Sequence, residues 1–89
     1  MSATLSEVFN EFAGKEVRVT EVGSHVEVAS SDPIVVQLEK AAAGYGWGLR
    51  LCFPSNQTIE TGTGPGHLNV QVEKGVDGKY RIGSEFKHS

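Results

Sequence analysis

Three glycines at alternate positions, Gly62, Gly64 and Gly66, make a G-x-G-x-G run in "TIETGTGPGH". Such runs do chemistry when their amides cradle a phosphate. That needs a strand before the run and a helix after it, whose N-terminal dipole meets the anion. Here the run leads into "HLNVQVE", a strand pattern, and no Lys-Ser/Thr pair follows. Gly44, Gly46 and Gly48 leave a helix pattern and enter a strand pattern, so they fail in the same way. His25, His67 and His88 show no metal-ligand spacing among themselves or with Cys52. They read as exposed or edge-strand histidines. Cys52 has no evident His-Asp arrangement and reads as a small buried apolar residue rather than a nucleophile. The eleven acidic residues of an 89-residue chain pair by chance, so none is singled out for acid–base work. Asn56-Gln57-Thr58 matches a glycosylation acceptor, taken as coincidence for want of a secretory signal. The expectation is no catalytic residue, no metal site and no cofactor: a protein that is not an enzyme.

Bulk properties limit the partners. A chain of 89 residues makes one domain with a modest core, burying about 60–65% of its unfolded surface. The net charge of −3, with eight scattered Lys/Arg, gives no attraction to phosphate backbones, so nucleic acid is not the expected partner. No apolar run approaches the roughly 20 residues that span a bilayer, and no membrane role is expected. A single cysteine excludes an intrachain disulfide. The start, "MSATLSEVFNEF", lacks a basic segment followed by an apolar run and reads as mature chain. The expected location is cytoplasmic.

The elements that must position any site follow from periodicity. Leu5, Val8, Phe9 and Phe12 share one helical face, with a Thr4–Glu7 capping box and Gly14 at the end, which predicts a helix over 5–13. "EVRVTEVGSHVEVAS" predicts a hairpin turning at Gly23-Ser24, with Val19 opposite Val28, Glu21 opposite Val26, and Val17 on the same face. "SSDPIVVQLEKAAAG" predicts the principal helix, capped by Asp32 or Ser31, with Pro33 at its first position and Ile34, Val35, Leu38, Ala41 and Ala42 buried. In "WGLRLCF" Trp47, Leu49, Leu51 and Phe53 alternate onto one face of a strand that Pro54 stops. Residues 55–66 read as a long loop, and long loops in small domains are often functional. "LNVQVE" and "KYRIG" supply two more strands around an Asp77-Gly78 turn. The predicted fold is α+β: two helices packed on a small mixed sheet, an N-terminal β-hairpin, and a long exposed loop between two parallel strands.

From Ser31 onward, over about residues 31–83, the chain resembles the potato type I (eglin-like) serine protease inhibitors. The residues that carry the resemblance are the helix "DPIVVQLEKAAAG", the strand "LRLCFP", the loop from Ser55 to Gly66 and the strand "HLNVQV". The resemblance implies an extended loop that fits a protease cleft like a substrate. Ile59, Glu60, Thr61, Gly62 and Thr63 would be the partner-binding segment, with Thr61–Gly62 as the scissile-like bond. His67 and Asn69 would support it from the following strand. Gly62 and Gly64 stand where the family has stiffer residues, and the N-terminal helix and hairpin of residues 4–30 lie outside the family pattern, with 31–86 inside it.

The expected function is therefore a non-enzymatic protein-binding module, a serine protease inhibitor-like protein acting through the 55–67 loop. The alternative is a small protein of bacterial or phage type that binds another protein partner through its hairpin or a sheet edge. Either a monomer or a homodimer paired through hairpin edges fits the sequence.

Overall fold

Among the described residues Phe9 and Phe12 are the first to be buried in the core, Phe9 where a short α-helix ends and Phe12 in the tighter turn that follows. A computed structural model describes residues 5–62 and 64–89; Thr4 of the capping box and Thr63 of the binding segment lie outside the described residues. Helix α1 covers only Leu5–Val8 and is followed by a 3-10 turn, Asn10–Phe12, not by a continuous helix to residue 13. The tightening has a packing reason. Bonds from Phe12 N to Phe9 O and from Ala13 N to Asn10 O put residues i and i+3 on one side. Both phenylalanines are thereby buried, and Phe9 stacks on Phe86 with centroids 5.6 Å apart. Gly14, at φ +81°, takes the left-handed position that ends the segment.

Strands β2 (Val19–Val22) and β3 (His25–Val28) form the hairpin, with Val19 opposite Val28 and Glu21 opposite Val26. Val17 does not continue that hairpin. It belongs to β1 (Glu16–Val17), which pairs with Tyr80 and Arg81 of the last strand. The chain bends between them at Arg18, whose N–H donates to Asp32 Oδ2 at 3.0 Å. Asp32 also caps α2 (Pro33–Ala43), accepting from Ile34 N at 2.9 Å and Val35 N at 3.2 Å. Three backbone donors satisfy this buried carboxylate, and Pro33 needs none.

The five-stranded sheet has the order β1-β7-β6-β4-β5, built from β4 (Gly48–Cys52), β5 (Thr58–Thr61), β6 (His67–Lys74) and β7 (Tyr80–His88) with β1 at one edge. β4 and β6 run parallel, Leu49 beside Leu68 and Leu51 beside Val70. The long exposed loop expected between them is corrected: its middle folds back as β5, antiparallel to β4, with Ile59 opposite Leu51 and Thr61 opposite Leu49. Asn56, at φ +69°, makes the reversal possible within a turn closed by Phe53 N to Gln57 O and Asn56 N to Phe53 O. Thr58 and Ile59 are β-branched and suit the strand that follows. β7 is longer than the expected strand, because Gly83–Glu85 form a bulge that masks the alternation. Val72 still pairs with Ile82 and Val70 with Phe86 across it.

One core joins the two parts of the chain. Phe9, Phe12, Val17 and Val26 pack with Val35, Leu38, Leu49, Leu51, Leu68, Val70, Ile82 and Phe86. The two sheets form a curled wall around it. They are separate sheets joined by the chain at Arg18, with a groove between β3 and β5.

Candidate functional site

β5 is the outer strand of its sheet, so its residues divide into three roles. Ile59 and Thr61 are half-buried and face the core side, while Thr58 and Glu60 are exposed. Thr61 does not project into solvent. Its Oγ1 is a buried hydroxyl with no hydrogen-bond partner among the described residues, which costs about 1–3 kcal/mol. The third role belongs to the backbone. The bond from Phe53 N to Gln57 O sets the antiparallel phase, so residues 59 and 61 turn their backbone groups toward β4. Thr58 and Glu60 turn theirs outward, and among the described residues nothing pairs with them.

The loop-supporting pair reaches β5 differently from the sequence expectation. β4 lies between β6 and β5, so Asn69 acts through Arg50 on that intervening strand. Arg50 Nε donates to Glu60 Oε1 at 2.8 Å, and Arg50 Nη1 donates to Asn69 Oδ1 at 3.2 Å. Asn69 Nδ2 also donates to Ser89 Oγ at 2.8 Å. His67 Nε2 lies 3.8 Å from Glu60 Oε2, an ion pair only when the imidazole is protonated. The result is a polar row across the outer face of the sheet. Its one carboxylate–guanidinium pair is partly exposed and contributes less than about 1 kcal/mol, so the row orients Glu60 more than it stabilises the fold. Sequence reasoning missed Arg50. The signal was the alternation itself, which puts Arg50 outward between Leu49 and Leu51 on a central strand.

Gly62 ends β5 at φ +75°. Beyond it the two glycine runs lie backbone against backbone, with Gly48 N donating to Gly66 O at 2.9 Å. A Cβ on Gly64 would stand 2.5 Å from Gly46 O, and one on Gly66 would stand 2.6 Å from Ser89 O. Close approach explains these glycines. Beside them Trp47 is held between Tyr45, at 4.8 Å, and His88, at 4.2 Å between ring centroids.

Two recesses flank β5. Between its start and β3 runs a groove of about 380 Å³ lined by His25 to Val28 and by Gln57 to Ile59. The Gln57 carboxamide closes one end of it. Val26 N donates to Oε1 at 3.0 Å and Nε2 donates to Val26 O at 2.9 Å, the two bonds a neighbouring strand would make. Beside the end of β5, a recess of about 280 Å³ is lined by Glu39, Ala43, Trp47, Gly48, Leu49, Thr61 and Gly62.

Other chemistry-bearing groups stand apart from this edge. Cys52 is half-buried on β4, and burial pushes its thiol up from the ordinary 9.0, so it is protonated at neutral pH. Among the described residues no three His, Cys, Asp or Glu side chains are placed to hold a metal ion. Nor is any helix among them long and apolar enough to cross a membrane. What fold and site define together is a small mixed α/β domain with a free strand edge between two recesses. Compared with protein-family models, curated proteins and solved structures, the chain matches none.

Proposed function

We propose that this chain is a non-enzymatic protein-binding module that takes an extended segment of a partner protein as an added strand on β5. The observation that carries the reading is the outward backbone of Thr58 and Glu60 on an edge strand flanked by recesses for side chains. In strand addition, main-chain hydrogen bonds supply affinity and pockets for alternate side chains supply specificity. A serine protease is one partner of this kind, as the inhibitor resemblance implies. The inward Thr61 side chain favours strand addition over substrate-like presentation of the Thr61–Gly62 bond.

The test uses displayed random peptides selected on the whole chain and a Thr58→Pro variant. Proline at position 58 removes an outward N–H and leaves the β4 pairing intact, a substitution edge strands tolerate. Selected peptides are expected to shift the Thr58 and Glu60 amide resonances and to bind Thr58→Pro about tenfold more weakly. Peptides that bind both proteins equally, or shift only residues elsewhere, overturn the reading. Stoichiometric inhibition of a subtilisin- or chymotrypsin-like protease, altered by substitution at Thr61, would replace it with the loop-presenting inhibitor.

A further inference from the structure

The free edge of β3 is closed at one point by a side chain that imitates a strand. Val26 N donates to Gln57 Oε1 at 3.0 Å, and Gln57 Nε2 donates to Val26 O at 2.9 Å. A primary carboxamide presents its acceptor and one donor side by side, so it satisfies both backbone groups of Val26 as a paired strand would. The same two bonds fix the phase of the hairpin, because they show Val26 turning its N–H and C=O away from β2. Val28, two residues on, turns its own the same way. Gln57 does not reach that far, and among the described residues nothing bonds to the Val28 N–H or C=O. The groove of about 380 Å³ runs along this edge, with Val26, Val28 and Ile59 among its lining residues. Glu27 alternates to the opposite face of β3, exposed and without an ion pair among the described residues.

We propose that the Gln57 carboxamide is a placeholder for a peptide unit of a partner protein's extended segment, which displaces it and pairs with β3 at Val26 and Val28. This is a second strand-accepting edge, independent of β5 and carrying its own competitor. The chemistry of the occupant follows from what already sits there. The covered part of the edge is covered by an amide, and the uncovered part offers the same donor and acceptor to the next amides of a chain. A segment paired at this edge lies in the groove. Directly opposed residues share a face, so its inward side chains meet Val26, Val28 and Ile59 and must be apolar. Its outward side chain stands beside Glu27 and must be basic, a preference that the net charge of −3 reinforces. Displacement itself is close to an even exchange, since two amide hydrogen bonds to Val26 are broken and two are made. The partner gains only the pairing at Val28 and the burial of its apolar side chains. Gln57 thereby lowers the affinity for any chain, and keeps the Val26 groups satisfied and the edge guarded when none is bound.

The experiment titrates the whole chain with the capped peptide acetyl-Val-Lys-Val-Lys-Val-amide, read by amide resonances and by sedimentation. In wild type the peptide is expected to shift Val26, Val28 and the Gln57 carboxamide. Gln57→Ala leaves the Val26 groups open, so it is expected to unfold at lower urea and yet to bind the peptide about tenfold more tightly. A glutamine with a merely structural role would cost stability on removal and bring no gain in affinity. N-methylation along the peptide should weaken binding at alternate residues only, because only their amides face β3. Glutamate in place of both lysines should weaken binding, and Glu27→Gln should narrow that difference. Binding by Gln57→Ala that is equal or weaker, or N-methylation losses that fall on every residue alike, overturns the proposal. Shifts confined to Thr58 and Glu60, with equal affinity in both proteins, overturn it and leave strand addition at β5 standing. Self-association of Gln57→Ala without peptide binding assigns the edge to a second copy and overturns it too. Silence in both proteins has the same consequence.

Discussion

Gly64 shows how a residue's role is set by a neighbour far away in the chain. Its backbone is free of left-handed strain, but the space where a side chain would begin is filled by Gly46 O, 2.5 Å from an ideal Cβ. Read locally, the glycines of "TGTGPG" look like flexibility, and flexibility argues against a preorganised binding segment. Read with the fold, they let one run cross another, and that crossing fixes the end of β5. The sequence holds both runs but not their contact, which arises only when β4 and β6 pair. We predict that Gly64→Ala destabilises the protein by about 1–3 kcal/mol, the usual effect of forcing an atom into filled space. Gly14 supplies the contrast, since a Cβ there meets nothing within 4 Å and only its φ of +81° opposes substitution. Urea midpoints of the two alanine variants, measured side by side, check this. A Gly64→Ala midpoint equal to wild type would show that the corner yields easily.

At the scale of elements, α2 was the most legible and β5 the least, for opposite reasons. Asp32-Pro33 followed by an apolar stripe fixes a helix start by local chemistry alone, and the helix begins there. "TIET" has only four residues and gains its partner from a turn at Asn56 that needs positive φ, so its strand character depends on β4. β7 was half legible, because the Gly83–Glu85 bulge breaks the period where it continues. The candidate site inherits this uneven legibility. Glu60, expected in the binding segment, and His67 and Asn69, expected to support it, stand along one polar row, whereas Arg50 and Glu39 need the register and the helix packing to be found. The cap carries a further consequence that the sequence does not contain, since Asp32 also accepts from Arg18 N and so ties the hairpin's entry to α2. Replacing Asp32 with alanine leaves three buried or half-buried N–H groups short of an acceptor. The loss expected is about 2 kcal/mol, at the upper end for a cap. Asp32→Asn keeps an acceptor for some of them and should lose less. Thermal unfolding of both variants decides the matter, and equal losses would show that charge, not acceptor count, matters at this cap.

Across the whole molecule, one carboxylate fastens the hairpin to the main sheet. Glu21 stands on the valine face of β2, opposite Val26 as the hairpin register predicts. It is held there by Tyr80 Oη at 2.8 Å and Lys74 Nζ at 2.9 Å, both donating to Oε1. Those two hydrogen bonds, Lys74 first, keep the Glu21 carboxyl below its ordinary 4.5. They also raise the Tyr80 phenol and the Lys74 ammonium above their ordinary 10.0 and 10.5. The signs fix a pH window. A carboxyl depressed by folding stabilises above its unfolded value, and that stability is lost as pH falls through about 4.5 toward the folded value. Groups raised by folding stabilise below their unfolded values and lose the contribution as pH climbs past about 10. The tie therefore holds across the neutral range and fails at both ends. Asp77, depressed by its paired hydrogen bonds with Arg81, adds to the acid limb but not to the alkaline one. In Glu21→Gln the fall in stability below pH 4.5 should be shallower than in wild type, and the alkaline limb should flatten as well. Denaturation midpoints across that range, with Asp77→Asn as the second variant, separate the two carboxylates. If Glu21→Gln changes neither limb, the hairpin is held by its valines and by the Gln57 and Asp32 hydrogen bonds, and the β3–β5 groove keeps its shape without the tie.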